Sequence, residues 1–276
     1  MSVAVEMEPA EQAGYFEVSR AHLYTVLHGA AEPSARVLLV GPFTSERHFS
    51  YIPWVRWARY LAARGIEGLR FDYRGIGEST GVFEELSFDD WLEDVELLAA
   101  WLKRRSPDLP LLLHGLEMGG ILAAKAFETG IGDGLLLWSP PANANVAFRG
   151  ALLRRVAVDH AFKYKDERKP VSDYIRRLEN GESLDVDGYE WSDRLWNESL
   201  KFELPAAIAN QADRAVAFQK PVRMVKLDGR AAPLVKGSAV GYETINRDLS
   251  GLFAENLDWI RSAVAQHKRG SREPNH

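Results

Sequence analysis

Residues 111–127, LLLHGLEMGGILAAKAF, set an apolar run against a glycine-framed turn and an alanine-rich helical pattern. A strand, a sharp turn and a helix in that order are how a G-x-S-x-G turn presents a nucleophilic serine. Here the turn reads Gly115-Leu116-Glu117-Met118-Gly119, so a carboxylate stands where the hydroxyl would be. A carboxylate in that seat has two chemical uses. It can attack as a nucleophile and form an ester, or it can act as a general base if desolvation raises its pKa. It also has a use without chemistry. A helix N-terminus favours an anion by roughly 0.3–1 kcal/mol, so Glu117 could fold onto the N–H groups, that of Met118 included, that would otherwise receive an oxyanion. Glu117 would then plug its own site. A second match to the same pattern, GESTG at 77–81 with Ser79 in the middle, lacks the context. No helix starts at that turn, so Ser79 is read as a loop residue.

The elements that must hold these groups follow from burial patterns. YFEVS and HLYTVLHG half-alternate and read as an antiparallel strand pair. ARVLLVGPF, IEGLRFDYRG, LPLLLHG, GLLLWSPP and KPVRMVKLDG read as buried strands. Between them lie amphipathic helices: YIPWVRWARYLAARG, the elbow helix, and SFDDWLEDVELLAAWLKRR with Ser87 as N-cap, Asp90 three residues on and basic residues in its last turn. RDLSGLFAENLDWIRSAV is a terminal amphipathic helix. Buried strands alternating with helices predict a mostly parallel sheet flanked on both faces. Between Pro141 and about Pro205 the alternation stops, and a charged helical segment with turns at NGES and DVDGYE replaces it. The expected organisation is an α/β core over 14–140 and 206–266, a helical cap inserted at 141–205, and a flexible tail at 267–276.

In this order the features resemble the α/β-hydrolase superfamily over about residues 14–266. GPF follows the strand where that family places an oxyanion loop, FDYRGIGESTG resembles its D-x-R-G-x-G-x-S loop, and HGLEMGG resembles its nucleophile elbow. A weaker likeness, carried by the altered elbow and by NGESLDVDGYEWS, is to hydrolase-like proteins that accompany exosortase and polysaccharide systems in bacteria. The resemblance implies oxyanion donors at Phe43, Thr44 and Met118, and an ion pair of Asp72 with Arg74. It also implies a triad histidine after the last strand, roughly residues 229–248, yet that stretch contains none. About fifteen residues there cannot hold both the helix and the strand that the family fits in. Asp228 stands near the acid position but reads better as a turn residue in a D-G pair.

Of the seven histidines, only His48, just past GPF, and His160, in the cap, are placed to reach the cleft. His22 and His28 lie in the opening hairpin, His267 and His276 in the tail, and His114 on the strand under the elbow. Glu117, His48 and His160 are therefore the candidate catalytic groups. Arg47, Trp138, Ser139 and Asp228 are candidate cleft residues, Trp138 and Ser139 because open α/β sheets bind ligands at the C-terminal ends of their strands.

Composition bounds the rest. The chain has 276 residues, 26% charged, with a net charge of −5, and nothing in it favours nucleic acid or an acidic membrane. There is no cysteine, which removes thiolate nucleophiles and Cys-ligated zinc, and no metal or cofactor is implied. Residues 1–16 lack a secretory pattern, and no apolar run nears the ~20 residues that span a bilayer, so a cytoplasmic protein is expected. Nine basic residues in 149–177 give a local excess that reads first as a solvated helix face, and otherwise as attraction for a phosphate-bearing or acidic ligand. The expected function is a hydrolase-family protein with a degenerate triad, repurposed for binding a small molecule or for chemistry without serine. The alternative is an active hydrolase or acyltransferase on a small ester or thioester, using Glu117. A homo-oligomer fits either.

Overall fold

A computed structural model describes residues 10–162, 164–210, 216–217, 219–227 and 248–270. The opening hairpin pairs β1 (Glu11–Val18) with β2 (Ala21–His28). There follow β3 (Ala35–Val40), α1 (Thr44–Ala62), β4 (Ile66–Phe71), α2 (Phe88–Arg105), β5 (Leu111–Leu116), α3 (Met118–Glu128) and β6 (Gly134–Trp138). The strands β3 to β6 are buried at every position, as predominantly apolar strands covered on both faces are, and the charged Arg36 of β3 and Glu67 of β4 pair with each other (2.6 Å).

Between β6 and the last long strand stand α4 (Ala144–Phe162), α5 (Val171–Glu179), the hairpin β7 (Leu184–Val186) and β8 (Tyr189–Trp191), α6 (Asp193–Lys201) and α7 (Ala206–Ala209). The hairpin turns through Asp187 and Gly188, both at positive φ (56° and 85°), the pairing that a two-residue Asp-Gly turn selects. Trp191 and Trp196 are buried here, so their spacing reflects packing. The chain returns through β9 (Val216–Ala217) and β10 (Lys220–Val225) and closes with α8 (Ser250–Gly270).

The sheet order is β1-β2-β4-β3-β5-β6-β10-β9. Pairings β4–β3, β3–β5, β5–β6 and β6–β10 are parallel, and the two ends are antiparallel. One apolar cluster joins this sheet to α2, α3 and the inserted helices, through Trp91, Leu122, Phe148 and Trp196. A second joins the opposite face to α1 and α8, through Trp57, Leu61, Phe253 and Ile260. This is the α/β-hydrolase arrangement, a mostly parallel sheet wound with helices on both sides. Among the described residues no helix is long and apolar enough to cross a membrane.

Two boundaries differ from expectation. α1 begins at Thr44, so Pro53 lies inside it and Glu46, Arg47 and His48 are on a helix, where a loop was expected. α8 continues through His267 to Gly270, with Lys268 and Arg269 in its last turn complementing the helix dipole, so 267–270 are not tail. The Ser87 capping box is present as read, with Ser87 N–H donating to Asp90 (2.8 Å) and Asp90 N–H to the Ser87 hydroxyl (3.2 Å).

Candidate functional site

Glu117 is the residue between β5 and α3, at φ 51° and ψ −127°. A side chain rarely adopts that backbone conformation, which costs on the order of 1–3 kcal/mol and persists only where neighbours enforce it. The neighbours are identifiable. Glu117 N–H donates to the Trp138 carbonyl (2.9 Å), and Gly120 N–H donates to the Glu117 carbonyl (2.8 Å). A methyl at Gly119 would lie 2.1 Å from the Gly41 carbonyl oxygen, and one at Gly115 would lie 2.4 Å from the Gly120 Cα. The framing glycines thus let the start of α3 press against the ends of β3 and β5. Met118 is fully buried, whereas Glu117 is half-buried. The Glu117 carboxylate makes no capping hydrogen bond to the first turn of α3.

β3 is paired beside β5, with Val40 opposite Gly115, so the segment after β3 runs alongside the elbow. Its Gly41 carbonyl accepts from the Tyr73 hydroxyl (2.8 Å). Phe43 precedes α1 as its N-cap and is buried among rings, 4.3 Å from Trp91 and 6.0 Å from Phe148. Thr44 opens α1.

The first turns of α1 carry a residue that the sequence did not single out. Glu46 is 6% exposed, with Oε1 3.4 Å from an Arg154 guanidinium nitrogen on α4 and with Oε2 buried without a hydrogen-bond partner. Burial pushes its carboxyl up to about 7, against the smaller opposing pull of Arg154. Glu46 can therefore hold a proton near neutral pH. Only an acidic residue shortly after GPF was visible beforehand, because the helix that carries it was expected to start later.

Arg47, the next residue, is half-buried and grips Asp72 with two hydrogen bonds (2.9 and 2.6 Å). Asp72 also accepts from the Glu78 N–H. The expected pair of Asp72 with Arg74 does not form. Arg74 turns to Asp94 (2.7 Å) and Glu93 (2.8 Å) on α2, where a buried carboxylate and its neighbour satisfy the fork better than an Asp already held by Arg47. Ser79 uses its hydroxyl structurally, accepting from Tyr24 N–H and donating to the Asp72 carbonyl.

His48 is on the exposed side of α1, two residues from Glu46 and so on a different face. His160 is near the end of α4, with Nε2 2.8 Å from the Lys169 carbonyl oxygen within the inserted segment. His114 is fully buried between Trp54, Trp57 and Trp138, its Nδ1 3.0 Å from the Leu136 carbonyl oxygen. Burial lowers its pKa to about 3, so it stays neutral. Trp138 is wall and core, 1% exposed. Ser139 sits at positive φ (46°) and accepts from Leu227 N–H (2.7 Å). Asp228 and residues 229–247 of the stretch that lacks a histidine lie outside the described residues.

Four of the nine basic residues of 149–177 are in ion pairs. Arg154 meets Glu46, Arg155 meets Asp159 and Asp185, Arg176 meets Asp173, and Arg177 meets Glu182.

The chain is similar to known proteins in both sequence and shape. The family described as Hydrolase_4, serine aminopeptidase, S33, matches residues 50–187, half of the chain. No curated protein matches. Among solved structures, Est1E from Butyrivibrio proteoclasticus with bound ferulic acid aligns at 15% identity and TM-score 0.59, covering 92% of this chain and 100% of that one. The α/β hydrolase GrgF from Penicillium sp. sh18 aligns at 15% identity and TM-score 0.59, covering 93% and 99%. An a/b serine hydrolase without lid from Xanthomonas campestris is 23% identical, but the alignment spans 62% of that protein and 48% of this chain, with TM-score 0.42. At these identities the shapes speak for the fold, and the match over residues 50–187 speaks for descent: the chain belongs to the Hydrolase_4 family of the α/β-hydrolase superfamily.

Proposed function

We propose that this protein keeps the hydrolase elbow but uses it without a serine, as a site that binds a small ester-like or acyl-bearing molecule. The carrying observation is Glu117 itself, a carboxylate held in the strained elbow conformation where a hydroxyl would be the nucleophile. The triad is degenerate on this reading, because the sequence offers no histidine over 229–248. The segment between β6 and β10 serves as the cap. Its arginines are mostly paired, which favours an uncharged acyl group over a phosphate.

Glu46 supports a second reading. A buried carboxyl titrating near 7 on α1, the helix that follows the strand paired beside β5, is a proton donor at neutral pH, and with Glu117 as base it would give an acid and a base. The protein would then be a slow hydrolase or acyltransferase.

A fluorophosphonate probe and a series of 4-nitrophenyl acyl esters separate these outcomes. We expect no covalent labelling, since labelling needs an activated hydroxyl; stoichiometric labelling sinks both readings. Binding alone predicts a raised Tm with the esters or their free acids and no turnover. The second reading predicts turnover that Glu117→Gln abolishes, with a pH–rate limb near 7 that Glu46→Gln removes.

A further inference from the structure

β1 is an end strand of the sheet, eight residues long, with no proline, no bulge and a continuous register against β2. Such an edge presents a row of unpaired backbone groups that fits another extended strand and little else. The hydrogen-bond phase fixes which groups these are. Gly29 N–H donates to the Ala10 carbonyl, so the even-numbered residues of β1 exchange bonds with β2. On β2, Tyr24 and His22 spend their backbone groups on the other side, toward Asp72, Ser79 and Thr80. The odd residues Glu11, Ala13, Tyr15 and Glu17 therefore direct N–H and C=O outward. They also share one sheet face, that of α1, where Glu11 meets Arg59.

We propose that this edge pairs antiparallel with β1 of a second copy, about a two-fold axis at Tyr15. An isologous pair that continues the sheet with the same face must place odd residues opposite odd residues. Two registers keep most of the strand paired. The one centred on Gly14 sets Glu11 opposite Glu17 twice, like charges in direct opposition, which is destabilising. The one centred on Tyr15 sets Ala13 opposite Glu17 and Tyr15 opposite Tyr15.

The second register also fits its side chains. Tyr15 already faces Tyr24 across the hairpin, with ring centroids 5.7 Å apart, and is 61% exposed. Pairing places four tyrosines in a row across four strands. On the other face it sets Phe16 opposite Gly14, a position where an added Cβ would find nothing within 4 Å. An aromatic ring covering a cross-strand glycine is a recognised stabilising device in sheets.

Sedimentation equilibrium of the full chain, from 1 to 200 µM, tests the pairing. The wild type should reversibly form a dimer. Ala13→Glu should weaken it at least tenfold by opposing Glu17 at two symmetric places, with the loss shrinking in 0.5 M NaCl. Adding Glu17→Lys to Ala13→Glu should restore it. Tyr15→Pro should abolish it while leaving the β1–β2 ladder intact, because the Tyr15 N–H points outward. Unchanged far-UV circular dichroism and a cooperative thermal transition certify that each variant is folded. A wild type that stays monomeric, or a dimer indifferent to both Ala13→Glu and Tyr15→Pro, overturns the proposal.

Discussion

Glu46 and Glu117 are two carboxylates in contrasting settings. Glu117 is half-buried at the positive end of a helix, and Glu46 is sealed with one oxygen unpartnered. The folded-state pKa of Glu46 is raised from 4.5 to about 7. The folded state thus holds a proton that the unfolded state releases. Stability from this proton is fully present below pH 4.5 and is lost as pH rises through about 7. Glu46→Gln removes the titration, so the variant should gain on the wild type as pH rises across that window. At about 1.4 kcal/mol per pH unit the gain amounts to roughly 3 kcal/mol. Urea unfolding of both proteins at pH 4.5 and pH 8 measures it, and a pH-independent difference would contradict the buried titration. None of this was legible in the sequence, because the burial of Glu46 depends on Arg154, 108 residues away.

At the scale of elements, the sequence was more informative. Unbroken apolar runs and framing glycines mark burial and close backbone approach, so the parallel strands and the elbow could be read directly. Partner choice could not: Asp72 and Arg74 lie on one loop, yet each is taken by a side chain from a different helix. Nor could the start of α1, because Pro53 resembles a first-turn proline although nine helical residues precede it. The tightest junction is that of α3 with β3. Gly119→Ala puts a methyl 2.1 Å from a backbone oxygen that cannot move without disturbing the sheet. We expect a loss of about 3 kcal/mol or more, or failure to fold, against no loss or a gain of up to about 1 kcal/mol for Gly251→Ala, where an added Cβ has open space on an exposed helix. Chemical denaturation of the two variants makes the comparison.

At the scale of the whole molecule, the inserted helices and the sheet share one apolar cluster. Phe43 beside the elbow touches Trp91 and Phe148, Phe148 touches Trp191 (4.2 Å), and Phe88 stacks on Phe202 (4.7 Å). Calorimetry should accordingly show a single endotherm with equal calorimetric and van't Hoff enthalpies. A separate early transition for the inserted helices would contradict the shared core. The same interlocked rings bear on traffic to and from Glu117. Swinging the helices aside would expose several large aromatic surfaces at about 25 cal/mol per Å². On the proposed reading, a molecule reaching Glu117 would therefore have to fit beside the elbow without displacing these helices.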